Sequence, residues 1–181
     1  MAEGRREELL GLAYAYVRTH GITDLSLRPL AAEIGSSPRV LLFLFGSKDG
    51  LLRELLAMAR ADELALLGEL PAEAGLPAAT EAVWRWLSDE AHRPLLRLWL
   101  EAYARSLVDE SGPWSSFAAG TVADWLAVLA RAQPSSSRDS LPAVAERTAA
   151  LAVLRGALLD LLATGDTART TAAVQLQLKS L

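Results

Sequence analysis

The hydrophobic positions of this chain recur with a period of about 3.6 residues, which is the period of an α-helix. Near the N-terminus, Leu10, Ala13, Tyr14 and Val17 stand at positions i, i+3, i+4 and i+7, on one face of a helix. No segment alternates convincingly between apolar and polar residues, so essentially no strand is predicted. An all-α fold is therefore expected for these 181 residues, of which 51% are hydrophobic.

Serine, glycine and proline mark the boundaries of about nine predicted helices. The first runs from about Glu3 to His20. The next three follow the capping residues Ser26, Ser37 and Ser47, and the helix after Ser47 reaches about residue 70. Two short helices joined by a tight turn, with a longer helix before them, are typical of a helix-turn-helix module. Further helices are predicted at 77–92, 94–109, 113–132, 142–163 and 166–181.

The stretch GSSPRVLLFLFGSK, residues 35–48, places an apolar helix between polar ends. On a helix that begins after Ser37, Leu41 and Phe45 share one face, and we expect them to pack in the core of the module. Leu42 and Phe43 then point outward, where apolar side chains either contact thymine methyl groups in DNA or mark a surface for a protein partner.

Charge restricts where this chain could bind nucleic acid. The formal net charge is −4, so a DNA surface has to be a local basic patch. Segment 26–48 supplies one, because Arg28, Arg39 and Lys48 outweigh Glu33. Arg39 is the candidate for a bidentate contact with guanine, and Lys48, at a helix N-terminus, is the candidate for a phosphate contact.

Residues 21–52, GITDLSLRPLAAEIGSSPRVLLFLFGSKDGLL, resemble the N-terminal module of the tetracycline-repressor (TetR) family of transcription regulators. Residues 158–174 more loosely resemble the junction of that family's last two helices. The resemblance implies a homodimer with a three-helix DNA-binding domain over 1–47 and a helical ligand-binding and dimerisation domain over 48–181. In that family the second domain binds a small molecule and dimerises through its last two helices. We therefore expect a palindromic duplex DNA operator and a small apolar ligand that releases the repressor from it.

Position by position, the resemblance is uneven across the recognition helix. Leu42 and Leu44 stand where the family usually has Tyr and then a polar residue or His, and Val40 stands where Thr is frequent. Each neutral hydrogen bond to phosphate that is lost this way weakens binding by about 0.5–1.5 kcal/mol. A helical ligand-binding or protein-interaction protein with an impaired helix-turn-helix is therefore the alternative hypothesis. The candidate DNA-binding residues are Arg28, Ser37, Pro38, Arg39, Leu42, Phe43 and Lys48.

Aromatic residues concentrate in the C-terminal part of the chain, which contains all five Trp residues. Ligand pockets are commonly lined by apolar and aromatic side chains with a few polar groups. Packing in the core between helices is the alternative for each of these residues. The candidate pocket residues are Trp99, Tyr103, Trp114, Phe117, Thr121 and Trp125.

A stripe of small residues on the helix predicted at 142–163 suggests a dimer seam. Small residues beside leucines allow two helices to approach closely, and a helix-turn-helix monomer touches too few base pairs to act alone. A contact within the chain is the alternative. The candidate interface residues are Ala149, Ala152, Leu154, Gly156, Leu158, Leu161, Val174 and Leu178.

The sequence contains no motif for catalysis, metal binding or membrane insertion. The chain contains no cysteine, its two histidines, His20 and His92, lack metal-ligand spacing, and no nucleophile elbow or phosphate-binding glycine loop occurs. No apolar run approaches the roughly 20 residues that a bilayer requires. We therefore expect a cytoplasmic protein without enzymatic activity, cofactor or metal.

Overall fold

The structure, a computed structural model, describes residues 2–67, 75–109 and 111–179. Within these ranges it contains no strand, which confirms the predicted all-α architecture. The predicted continuations of the fourth helix to residue 70 and of the last helix to residue 181 end outside the described residues. The helices are α1 Ala2–His20, α2 Leu27–Glu33, α3 Pro38–Phe45, α4 Lys48–Leu67, α5 Leu76–Ser88, α6 Arg93–Val108, α7 Phe117–Ala132, α8 Leu141–Thr164 and α9 Thr167–Leu178.

The chain divides into two compact units. The first combines Met1–Asp62 with Pro94–Gly120, and the second combines Glu63–Arg93 with Thr121–Leu181. Because this division records packing, the functional boundary expected between residues 47 and 48 stays a prediction. None of the described helices combines the length and apolarity needed to cross a bilayer.

The core of the first unit is formed by one face of α1 and by the buried faces of α2, α3, α4 and α6. On α1, Ala13, Tyr14 and Val17 are buried as expected. Leu9 is fully buried, whereas Leu10 is only half-buried, so the buried stripe begins with Leu9 and not with Leu10. The short helices α2 and α3 complete this core, and tertiary packing stabilises such short helices more than their own propensity does.

Two polar contacts attach α1 to α4 within the first unit. Arg6 forms an ion pair with Glu54, and its Nε also donates to the backbone carbonyl of Leu44 at 3.4 Å. The hydroxyl of Tyr14 donates to Oδ2 of Asp62 at 2.8 Å. Burial, followed by this hydrogen bond, raises the pKa of Tyr14 well above its ordinary value of 10.0. The first four turns of α4 are thereby held to the N-terminal helix.

In the second unit α5, α8 and α9 pack together, and this packing corrects part of the predicted dimer interface. Leu154, Leu158, Leu161 and Val174 are almost fully buried in the monomer, so they are not available to a second copy. These large aliphatic side chains remove the most apolar area from water by packing against neighbouring helices of their own chain. Leu178 is half-buried.

The segment before α7 also differs from the prediction of one continuous helix over 113–132. Gly112–Trp114 forms a short 3-10 helix, and α7 begins only at Phe117. Ser116 between them has φ of 63°, a left-handed conformation that interrupts the helix. Trp114 therefore does not belong to one helical stripe with Phe117, although both side chains are buried.

Candidate nucleic-acid interface

The turn between α2 and α3 is closed by backbone and side-chain hydrogen bonds. The N–H of Ser36 donates to the carbonyl of Ala31 at 2.8 Å, and Gly35 takes the left-handed conformation with φ of 64°. Ser37 then caps α3, since its Oγ accepts from the N–H of Val40 at 3.3 Å. The predicted capping residue and the predicted start of α3 are confirmed.

The two faces of α3 separate as predicted. Leu41 and Phe45 are 1% and 7% exposed and pack in the module. Leu42 and Phe43 are 42% and 83% exposed on the other side of the helix. Val40, 39% exposed, extends this outward apolar surface.

Three exposed cations accompany this surface. Arg28 lies on α2, Arg39 on the first turn of α3 and Lys48 at the start of α4, and all three are exposed. Other arginines of the chain form ion pairs, for example Arg6 with Glu54. Among the described residues, these three form none, so their charges are free to meet phosphates or base edges.

The junction of α3 and α4 depends on two glycines. Gly46 ends α3 with φ of 75°, and Oγ of Ser47 caps α4 by accepting from the N–H of Gly50 at 2.9 Å. A Cβ atom at Gly50 would lie 2.1 Å from the backbone carbonyl oxygen of Phe45. The requirement at Gly50 was not predicted, because a glycine in the first turn of a helix looks like an ordinary N-terminal residue.

Glu101 on α6 connects that helix to the turn between α1 and α2, all within the first unit. Its Oε2 accepts from the N–H of Ile22 at 2.8 Å and from the hydroxyl of Thr23 at 3.3 Å. Gly21 lies beside it with φ of 84°, and a Cβ there would approach the carboxylate to 2.9 Å. Sequence analysis did not identify Glu101, since no local signal reports a contact 79 residues away.

The candidate ligand residues are distributed over both units, and most are buried. In the first unit the rings of Trp99 and Tyr103 lie 4.9 Å apart on α6, with Tyr103 half-buried. In the second unit Nε1 of Trp125 donates to the carboxylate of Glu63, which is itself 4% exposed. Sequence reasoning missed this buried carboxylate, because Glu63 stands among ordinary helix-forming residues. The remaining candidate ligand residues, Trp114, Phe117 and Thr121, are buried. The role of the six candidates as a ligand site stays a prediction.

The small-residue stripe of α8 faces outward. Ala149, Ala152 and Gly156 are exposed, and a Cβ added at Gly156 would meet no atom within 4 Å. Leu159 on α8 and Leu176 on α9 are exposed apolar residues as well. The surface left for a second copy is therefore built mainly from small residues, while Leu151, Leu154, Leu158 and Leu161 of α8 are buried.

No protein-family model matches this sequence, and no curated protein matches it. Solved structures do match its fold. A proposed TetR-family transcriptional regulator from Rhodococcus sp. superposes with a TM-score of 0.73 at 19% identity, over 97% of this chain and 99% of that chain. A TetR transcription regulator from Haloarcula marismortui ATCC 43049 has a TM-score of 0.71 at 19% identity, over 96% and 94% of the two chains.

A third similar structure contains a bound small molecule. The multidrug binding protein EbrR in complex with proflavin superposes with a TM-score of 0.71 at 23% identity, over 98% of this chain and 99% of that chain. The chain therefore has the TetR fold along nearly its whole length, which confirms the predicted TetR-like architecture.

Proposed function

We propose that this protein is a cytoplasmic DNA-binding transcription regulator. The observation that carries the proposal is the exposed face of α3, on which Arg39 stands beside apolar side chains, with Arg28 and Lys48 exposed on the adjoining helices. An α-helix fits the major groove of B-DNA, where base edges are distinguishable, and cations beside it neutralise phosphates. The TetR fold supports the same use of α3.

Five of the candidate DNA-binding residues fill three roles in this proposal. Arg39 offers two parallel donors to O6 and N7 of guanine. Arg28 and Lys48 bind phosphates and set the position of the helix on the duplex. Ser37 and Pro38 fix where α3 begins, since the Ser37 hydroxyl is engaged with the backbone of Val40.

The active form in this proposal is a homodimer formed through the exposed faces of α8 and α9. Ala149, Ala152 and Gly156 allow close helix approach, and Leu159 and Leu176 add apolar area at the same exposed faces. Two copies present two recognition helices to half-sites about one turn of DNA apart, roughly 34–36 Å. The operator is therefore palindromic.

A small apolar ligand is proposed to release the repressor from its operator. Helix α6 carries Trp99 and Tyr103, which are candidate ligand contacts, and also Glu101, which binds the turn between α1 and α2. In this proposal the ligand shifts α6 and the turn bound by Glu101, and a tilt of α4, which directly follows α3, changes the spacing of the two recognition helices. It acts only through its differential affinity for the two conformations, so tight binding alone is insufficient. Proflavin, the molecule bound in the EbrR complex, is the first compound to titrate.

The test of DNA binding is a selection from a random duplex library at low salt. Wild-type protein is expected to enrich a palindrome, and Arg39→Ala is expected to lose the guanine preference and about tenfold to hundredfold in affinity. Arg85→Ala serves as the matched control, because Arg85 is also an exposed arginine but lies on α5, outside the helix-turn-helix.

The outcomes separate the proposed function from its alternative. Enrichment by wild type and by Arg85→Ala, with loss in Arg39→Ala, supports a DNA reader. A folded dimer that enriches no sequence would contradict the proposal and favour a ligand-binding or protein-interaction role for the same fold. A flat dependence of affinity on salt would contradict it as well, since phosphate contacts release counterions.

A further inference from the structure

The outward face of α3 has almost no hydrogen-bonding capacity, although the proposed function sets it against base edges. Arg39 is the one polar side chain of the eight in Pro38–Phe45, and so the one with hydrogen-bond donors. Val40, Leu42 and Phe43 supply the rest of the exposed surface. Single exposed apolar residues are common on proteins, but a contiguous exposed set marks a contact surface.

Phe43 occupies the centre of this face. The buried side chains of α3 are Leu41 and Phe45. Successive residues of a helix are rotated by about 100° around its axis, so the direction opposite to the mean of these two side chains is that of Phe43. Its ring is 83% exposed, about twice the fraction of Leu42. Arg39 precedes it by four residues, about 6 Å along the helix axis, or about two base-pair steps of DNA.

The major groove offers an apolar side chain one complementary group, the C5-methyl group of thymine. The other base edges present donors or acceptors, and covering those with a phenyl ring leaves polar atoms without partners at a cost in free energy. Burying a methyl group against the ring is favourable. The exposed cations Arg28, Arg39 and Lys48 match a polyanion and not an apolar protein surface.

We propose that Phe43 reads the C5-methyl group of a pyrimidine within about two base pairs of the guanine contacted by Arg39, which rests on the proposed DNA binding by α3. The contact is made with a methyl group and not with the hydrogen-bonding edge of the base. Thymine and 5-methylcytosine carry this methyl group on the same ring carbon. The same site therefore accepts either base and discriminates methylated from unmethylated cytosine, so that cytosine methylation controls binding to operators with cytosine at this position.

The experiment begins with the palindrome enriched by the wild-type protein from a thymine-containing library. Each pyrimidine position within two base pairs of the Arg39 guanine is tested in turn, and four versions of the duplex are compared there, with thymine, deoxyuridine, cytosine or 5-methylcytosine in both half-sites. Removal of one methyl group per half-site is expected to weaken binding about fourfold per contact and about fifteenfold for the palindrome. The 5-methylcytosine duplex is expected to bind more tightly than the cytosine duplex by a similar factor.

The variant Phe43→Ala identifies the side chain responsible. It is expected to bind all four duplexes with affinities within about twofold of one another, because removing the ring and removing the methyl group eliminate the same contact. Val108→Ala is the matched control, since Val108 is 81% exposed but lies at the end of α6. It should retain the full methyl dependence of the wild type.

Three different failures are distinguishable. If no palindrome is enriched, the proposed DNA binding itself fails. If a palindrome is enriched but the thymine and deoxyuridine duplexes bind equally, DNA binding stands and the methyl contact is overturned. Equal methyl dependence in wild type and Phe43→Ala would overturn the assignment to Phe43.

Discussion

On α3 the bulky side chains of Leu42 and Phe43 stand exposed, whereas on α8 four leucines are buried and the exposed line consists mainly of alanines and Gly156, together with Leu159. Both helices are strongly apolar, and each also buries leucine on its inner face. The two helices differ in the size of the side chains that they expose. A protruding ring fits a groove in a partner, while a smooth line of small residues allows a second helix to approach closely.

The comparison shows that apolar exposure is informative only together with side-chain size. The exposed residues of α3 accompany three unpaired cations, which suits a polyanionic groove. The exposed residues of α8 are mostly too small to bind anything strongly by themselves. They become an interface only when a whole helix face of a second copy covers them.

The largest effect is expected from breaking the smooth surface of α8 with Gly156→Arg. A Cβ at Gly156 meets no atom within 4 Å, so the monomer should fold, but the charged side chain would be buried at the proposed dimer interface. An unpaired buried charge costs about 3–5 kcal/mol, which weakens dimerisation at least a hundredfold. Analytical ultracentrifugation at several concentrations measures this change.

The control for that experiment is Gly11→Arg. Gly11 is also an exposed helical glycine whose added Cβ would meet nothing within 4 Å, but it lies on α1. It should leave the oligomeric state unchanged. A dimer of undiminished strength in Gly156→Arg would remove α8 from the interface.

The next largest effect is expected at the junction of α3 and α4, which holds the exposed face of α3 in place. Gly50→Ala places a methyl group 2.1 Å from the carbonyl oxygen of Phe45, so α3 and α4 must move apart. Overpacking of this kind costs about 1–3 kcal/mol of unfolding free energy, measured by urea denaturation. Gly11→Ala is the matched control and should be neutral or slightly stabilising. Equal stabilities of the two variants would show that α4 readily adjusts.

A smaller effect distinguishes the cations of the proposed DNA-binding surface from its apolar residues. Lys48→Ala should reduce the slope of log affinity against log salt by about 1, because one phosphate contact is lost, and should leave the preferred sequence unchanged. Phe43→Ala should do the reverse, changing the preference and leaving the slope. A change of sequence preference in Lys48→Ala would place Lys48 against a base edge.

The smallest effect tests a contact that belongs to neither surface. Tyr14→Phe removes the hydrogen bond to Asp62 and should lower the unfolding free energy by about 0.5–1.5 kcal/mol at neutral pH. The Tyr14 pKa is raised in the folded state, so this contribution is complete below the ordinary value of 10.0 and declines as the pH rises above it. The difference between wild type and variant should therefore narrow above pH 10.0. A constant difference would show that Tyr14 ionises normally when folded.

The residue pattern alone predicted the helix boundaries and buried side chains of much of the first unit. It predicted little about which side chains are exposed on the second unit. Ser37 and Pro38 defined the start of α3 because caps act within one turn, and helical spacing identified Leu41 and Phe45 as its buried side. For α8 the same spacing separated small from large residues correctly. It did not show that Leu154 would pack inside the chain.

The sequence by itself determined the helices, their caps and the sides on which side chains gather, because these follow from hydrogen bonds and periodicity over a few residues. Only the tertiary structure decided which side meets the core, why Gly50 must be glycine, and that Glu101 binds the backbone of Ile22 across 79 positions. A helical period states which residues are neighbours on one surface. What that surface packs against depends on segments far along the chain, whose approach no local pattern records.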